Sequence, residues 1–367
     1  MKKLLIAFIA LASSLGALPT ATSATPVIRV IDVPHRNFDG SFRNNELVTA
    51  LAPDGRLGKT LFQPNRPATW VIDAHLVDEV LDMADGYTYQ GEDDPIGASI
   101  AQLWLQQLRV ATLGNPIVAL PYGNPDASLA RKIAPKEYTY YLDLGAQKLE
   151  SFFGRPVISQ NGWSAGKSRL SREFQGIYRD NRAMVNGLGR LINSEEIEGV
   201  RQRLGVLLNP LLDKNDRNHF VYSSRNAVSQ LSEKLRVVAG RYQLTSSTTN
   251  VPLTLVNKFD TSTTLNLSLI PNNSRIIVKN IYDITLPPNS QIQIVVPFDV
   301  IASGSSVVSA QFMTARGNLV GSESKLNLTL TVIDSRVAWF TTGAAILLFI
   351  GAVTQSFRRI RRSRREK

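Results

Sequence analysis

Apolar positions along this chain follow two different rhythms. Over 27–239, short apolar runs alternate with segments in which apolar residues recur every three to four positions. The runs VIRVID (27–32), TWVID (69–73), PIVALPYG (116–123) and RPVISQNGW (155–163) read as strands buried on both faces. Between them lie helical patterns. In 74–84, Leu76, Val77, Val80, Leu81 and Ala84 share one face and Gly86 closes the end; in 98–111, Ile100, Leu103, Trp104, Leu108 and Ala111 do the same. A third helix, 195–208, follows Ser194 as its cap and turns Ile197, Val200, Leu204, Leu207 and Leu208 inward. Strands alternating with helices predict a parallel α/β head over 25–239, a partial or degenerate barrel-like arrangement with four strands rather than eight.

Over 240–335 the period drops to two. Leu265, Leu267 and Leu269, then Ile292, Ile294 and Val296, then Val308, Ala310 and Phe312, then Leu326, Leu328, Leu330 and Val332 alternate with polar residues. Turn signals at Pro271-Asn272-Asn273, Pro287-Pro288-Asn289, Ser303-Gly304 and Arg316-Gly317-Asn318 separate them. Six or seven short strands with one apolar face predict an immunoglobulin-like β-sandwich, a spacer between the head and the C-terminal segment.

Both ends carry a different signal. Residues 337–357 hold no charge for 21 positions, and RRIRRSRREK (358–367) comes immediately after. A helix of that length spans a hydrocarbon core of about 30 Å. The basic tail predicts a cytoplasmic C-terminus, with Trp339 and Phe340 at the outer interface. At the other end, Met1-Lys2-Lys3, an apolar stretch to Leu18 and the small residues Thr22-Ser23-Ala24 predict a signal peptide over 1–24, cleaved after Ala24. The expected mature protein is a single-pass membrane protein with its bulk on the extracytoplasmic side.

Charge changes meaning on that reading. The chain carries +11, but the tail holds seven basic residues and one acid, and the leader holds two lysines. The remaining 32 basic and 29 acidic residues leave +3, so the basic pI describes an anchor against anionic lipid rather than a nucleic-acid surface. The absence of cysteine means that an exported body would rely on its core and not on disulfides. Asn266, Asn272 and Asn327 fit the N-glycosylation acceptor pattern.

In parallel α/β folds ligands bind beyond the C-terminal ends of the strands. Those ends hold Asp32 and His35, Asp73 and His75, Tyr122 and Asp126, and Trp163. Asp32, His35, Asp73 and Asp126 form a catalytic candidate set, with His75, Tyr122 and Trp163 as binding residues. An Asp/His/His set could hold Zn²⁺, and paired carboxylates could cleave a glycosidic bond. The structural readings are simpler: Asp73 caps the following helix, Asn124-Pro125-Asp126 starts another, and His75 in a first turn faces water. The segment Gly162-Trp163-Ser164-Ala165-Gly166-Lys167-Ser168 resembles a phosphate-binding loop, but three residues separate its glycines where four are required.

Five blocks carry a resemblance: Asp32-Val-Pro-His-Arg…Asp39-Gly40, Leu51-Ala-Pro…Gly55-Arg-Leu57, Thr69-Trp-Val-Ile-Asp73, Met83-Ala-Asp-Gly-Tyr87 and Ala119-Leu-Pro-Tyr-Gly…Pro125-Asp126. Together with Pro252-Leu-Thr-Leu-Val-Asn257 and Leu286-Pro-Pro-Asn-Ser290, they resemble an actinobacterial envelope protein family of unknown function. The likeness runs over 27–130 and the β segment, and is thin over 165–235. It implies a signal peptide, a barrel-like head, an Ig-like domain, a terminal membrane helix and a gene often beside the flippase for the peptidoglycan lipid precursor. The family's Trp-Pro start to the first motif reads Val30-Ile31 here.

The expectation is therefore a non-catalytic binding or accessory module in cell-wall assembly. It needs no cofactor, and its partners are membrane lipid, a cell-wall glycan or an envelope protein, with no nucleic acid. The alternative is a glycan hydrolase or deacetylase at the strand ends, and only that reading calls for Zn²⁺.

Overall fold

The computed structural model describes residues 25–62, 67–89, 92–159, 166–331 and 335–363. The expected signal peptide over 1–24, Trp163 and Val332 lie outside the described residues.

Four short strands, β1 (Val27–Val30), β2 (Thr69–Ile72), β3 (Ile117–Ala119) and β4 (Ile158–Ser159), form one sheet in chain order. Every pairing is parallel, with Val30 opposite Ile72 and Ile72 opposite Ala119. An order that never reverses is the winding of a barrel wall; a doubly wound sheet has a reversal. The crossovers are α1 (Glu46–Leu51) and α2 (Arg56–Leu61), then α3 (Ala74–Ala84) and α4 (Pro95–Ala111), then α5 (Ala127–Ile133) and α6 (Pro135–Phe153). Leu76, Val77 and Val80 are buried, and Gly86 ends α3 at φ +99°. In α4 the buried face is Ala101, Trp104, Leu105 and Leu108, so Leu103, expected inward, is exposed instead. Helix α6 lies against the end of β3, where a Cβ on Gly145 would stand 2.2 Å from the Leu120 carbonyl oxygen. That approach admits only glycine.

The expected alternation of strands and helices stops at β4. Residues 172–234 form α7 (Arg172–Leu191), α8 (Glu195–Arg203), a 3₁₀ turn (Leu204–Leu208) and α9 (Lys214–Lys234). All five apolar positions expected inward over 195–208 are buried, although the last turn tightens to 3₁₀ and Ser194 makes no side-chain cap bond.

The sandwich begins at Leu235, five residues before the expected boundary. Its strands are β5 (Leu235–Val237), β6 (Gly240–Leu244), β7 (Thr248–Asn257), β8 (Thr263–Pro271), β9 (Ile276–Val278), β10 (Ile281–Leu286), β11 (Ser290–Val300), β12 (Gly304–Met313) and β13 (Leu319–Leu330). They form sheets of order β10-β8-β12-β13-β6 and β9-β11-β7-β5. The described strands thus number nine rather than six or seven, the additions being three-residue edge strands too short to show a period. The alternation itself is present: Leu265, Leu267, Leu269, Val308, Ala310, Phe312, Leu326, Leu328 and Leu330 are all buried.

Two main apolar cores result, and they do not divide at residue 239. One belongs to the parallel sheet and α1–α4; the other runs from α5 through α7–α9 into the sandwich. Contacts such as Thr263 Oγ1 to the Leu191 carbonyl (2.8 Å) and Gly187 against Val320 seat the helices on the sandwich. Helix α6 joins the cores, with Tyr141 in the first and Tyr138 in the second.

Residues Ser335–Ser363 form a tenth helix, α10. Ile346, Leu347, Leu348, Phe349, Ile350 and Val353 on it are exposed. Among the described residues no helix is long and apolar enough to cross a membrane.

Candidate functional site

Beyond the ends of β1–β3 polar groups stand at a nearly dry edge, where Asp32, His35, Asp73, His75 and Asp126 are all buried. Asp32, just past β1, meets the Val33 N–H (2.7 Å), the Arg56 guanidinium (2.5 Å) and, through its other oxygen, His35 Nε2 at 3.5 Å. Burial opposes its ionisation, but His35, Arg56 and the Val33 N–H outweigh that and hold its pKa below the usual carboxylate value. His35 is 3 % exposed. Burial disfavours its imidazolium, yet Asp32, Glu79 and Asn44 together hold its pKa above the usual value.

The residue that organises the cluster is Glu79 on α3, which the strand-end reading did not include. One carboxylate oxygen accepts the main-chain N–H groups of His35 and Arg36, both at 2.8 Å, and so fixes the turn after β1. The other has no hydrogen-bond partner and lies 3.8 Å from His75 Nδ1. Burial pushes Glu79 up to about 7, against the pull of His35, those two N–H groups and Arg36. The signal that could have found it is the His75-x-x-x-Glu79 spacing, which puts both on one face of a helix.

Asp73 caps α3. Its Oδ1 accepts from the N–H groups of His75 (3.0 Å) and Gly123 (3.1 Å), tying the end of β2 to the end of β3. Burial raises it to about 7 despite those bonds, and Glu79 and Asp78 add to the rise. His75 does not face water as expected: it is 4 % exposed, because the first turn of its helix packs against the segment after β3, with the imidazole edge-on to Tyr122 at 5.2 Å. Burial, with the charges of Arg203, Arg36, His35 and Lys148, pushes it down to about 3, so it is neutral. The Tyr122 hydroxyl donates to Asp78 (2.9 Å), which also pairs with Lys148 (2.9 Å). Asp126 stands apart. Its carboxylate takes the N–H groups of Ser128 and Leu129 as the α5 cap and that of Ser168 at 2.6 Å.

The sheet edge opens into a cavity of about 300 Å³ walled by Arg36, His75, Glu79, Tyr122, Lys148 and Arg203, among others. Arg203, from α8, donates to the main-chain carbonyls of Gly199 (3.1 Å) and Asn37 (3.2 Å). Burial and the neighbouring Arg36 lower its pKa. Of the expected residues, His75 and Tyr122 share this cavity. Asp32 and His35 pair with each other outside its lining, and neither Asp73 nor Asp126 lines it. Among the described residues no three His, Cys, Asp or Glu side chains converge as metal ligands. What the arrangement offers chemically is a mixed-charge recess: Arg36, Lys148 and Arg203 share it with the carboxylates of Asp78, Glu79, Asp82 and Asp85, and Arg36 pairs with Asp82 (3.3 Å) as Lys148 does with Asp78.

Comparison with solved structures finds WR4, an MSP family member from C. elegans (11 % identity, TM-score 0.21), covering 26 % of this chain and 97 % of that one. The CARDB domain of PF1109 from Pyrococcus furiosus (10 %, 0.21) is covered over 94 % of its length by 26 % of this chain. Native α2-macroglobulin of E. coli (13 %, 0.21) is matched by 26 % of this chain over only 6 % of its own length. No curated protein matches. A family model does match residues 169–365, which takes in the helical stretch where the resemblance read from the sequence was thinnest. By that match over more than half its length, the chain belongs to the family described as a family of unknown function, DUF6049.

Proposed function

We propose that this protein is a non-catalytic accessory module tethered to a membrane by its C-terminal helix, with its folded bulk on the extracytoplasmic side. Its α/β head receives a polar, mixed-charge ligand, such as a cell-wall glycan bearing peptide amines and carboxylates, in the cavity at the strand ends, where three cations stand among four carboxylates. One observation carries the non-catalytic reading. None of the three strand-end carboxylates reaches the cavity: Asp32, Asp73 and Asp126 are buried, Asp73 and Asp126 hold main-chain N–H groups, and Asp32 pairs with Arg56. A general acid or nucleophile needs a free oxygen within reach of substrate. The tether rests on the exposed apolar side chains of α10 and the cationic run after it.

A second reading has one observation in its favour. Glu79 lines the cavity with a free oxygen and a pKa raised to about 7, as a general acid requires. Incubating the purified protein with peptidoglycan decides between the two. The accessory reading expects saturable retention, weakened by Arg203→Gln, with no release of reducing ends or acetate. Turnover abolished by Glu79→Gln would replace it with the hydrolase or deacetylase reading, and neither retention nor turnover would refute both.

A further inference from the structure

A second cavity, of about 590 Å³, opens where the chain enters α7 and α9. Its wall includes Lys167, Arg169, Lys214 and Arg217, one carboxylate, Asp213, and the apolar surface of Phe174. The carboxylate is used locally, accepting the Asp216 N–H at 2.7 Å as the α9 cap. None of the four cations has a carboxylate within ion-pair distance among the described residues.

Arg217 is the most informative. It is 8 % exposed, and its guanidinium donates to three main-chain carbonyls, those of Leu207 (3.0 Å), Asn209 (3.1 Å) and Leu212 (3.1 Å). Carbonyl dipoles satisfy its protons but do not neutralise its charge, and a buried cation without a counter-ion is unfavourable. Burial accordingly lowers its pKa. Two helices of 20 and 21 residues also start at this cavity, Ser171 capping one and Asp213 the other. Each cap takes one N–H of the first turn, at Phe174 and Asp216, where several have no intrahelical partner. Two positive helix ends and four cations therefore face one space.

From this juxtaposition we infer that the cavity between the starts of α7 and α9 binds a phosphate-bearing ligand. The phosphate sits among Lys167, Arg169 and Lys214, and the organic part lies against Phe174. Phosphate is favoured because its several oxygens can accept from separate cations and amides at once. The site does not depend on the strand-end cavity. It also gives a role to Lys167, which the near-miss glycine motif left unexplained.

Two probes separate the sources of such a phosphate. The full-length protein in neutral detergent is titrated with inorganic pyrophosphate and with dihexanoyl-phosphatidylglycerol, a soluble short-chain lipid. Saturable binding of at least one is expected, weakened at least about tenfold by the triple substitution Lys167→Gln, Arg169→Gln, Lys214→Gln. Tighter binding of the lipid identifies a headgroup site; tighter binding of pyrophosphate identifies a soluble ligand. A matched triple substitution elsewhere, Arg225→Gln, Lys258→Gln, Arg316→Gln, should leave affinity unchanged. No binding of either probe, or an equal loss in the matched variant, overturns the inference. A measurement on the unmodified chain guards against a folding defect. The better-bound probe should slow acylation of Lys167 and Lys214 by an N-hydroxysuccinimide ester but not that of Lys258, and uniform rates would also overturn it.

Discussion

Replacing Glu79 by glutamine removes a strongly perturbed carboxylate of the strand-end cavity while keeping its main-chain bonds. The carboxamide oxygen can still accept from the N–H groups of His35 and Arg36, so the turn after β1 should survive. What disappears is a proton uptake. The folded pKa of about 7 lies above the ordinary 4.5, so between those values the folded state binds a proton that the unfolded chain has released. Stability then falls as pH rises through that window. A displacement from 4.5 to about 7 corresponds to roughly 3 kcal/mol at about 1.4 kcal/mol per pH unit. Loss of the attraction to His35, whose pKa Glu79 helps to raise, offsets part of it. The variant should therefore match the parent near pH 4.5 and exceed it by about 1–3 kcal/mol at pH 8. Urea unfolding followed by tryptophan fluorescence suits the test, since Trp70 and Trp104 lie in the same core as α3. Parallel pH profiles for the two proteins, or a variant less stable at pH 8, would refute the reasoning.

Other perturbations reach different parts of the molecule. Asp126→Ala strips three main-chain N–H groups of their acceptor and should cost roughly 2–4 kcal/mol in urea unfolding; a loss below about 0.5 kcal/mol would contradict the capping role. Gly145→Ala drives a methyl group into the Leu120 carbonyl, and a fall of several degrees in Tm is expected, whereas an unchanged Tm would mean that α6 does not sit so close to β3. Asp32→Asn should lower the His35 pKa in an NMR titration of its ring protons, because Asp32 is among the groups that raise it. That raised pKa adds stability below about pH 6.5, which is lost as pH climbs through the folded value, so the variant should lose stability on the acidic side of that window. An unmoved His35 titration would separate the two residues.

Much of this architecture is legible in the residues, and the gaps have physical causes. Strands β2 and β3 announce themselves because burial on both faces leaves unbroken apolar runs such as Trp70-Val71-Ile72, whereas β1 and β4, expected to be buried too, are edge strands with Val27 and Ile158 exposed. The sandwich does so through strict alternation, as in Leu326, Leu328 and Leu330. Residues 172–234 are harder to read, because their helices bury their apolar face partly against sandwich strands distant in sequence, as Gly187 does against Val320. Edge strands of three residues, such as Ile276–Val278, are too short for any period to register. At the site, Asp73 and Asp126 are readable as caps from the helices they precede. The spacing from His75 could flag Glu79, but its hold on the turn after β1 is not readable, since that depends on N–H groups 43 and 44 positions away.

The proposed topology sets the folded bulk and the cationic tail on opposite sides of a membrane. The chain has no cysteine, so single introduced thiols report position without background. Ser303→Cys, at an exposed turn of the sandwich, and Ser363→Cys, in the cationic tail, would be treated in intact cells with a membrane-impermeant maleimide. Labelling at 303 is expected, with protection at 363 until the cells are permeabilised; labelling of 363 with protection of 303 would contradict the proposed topology.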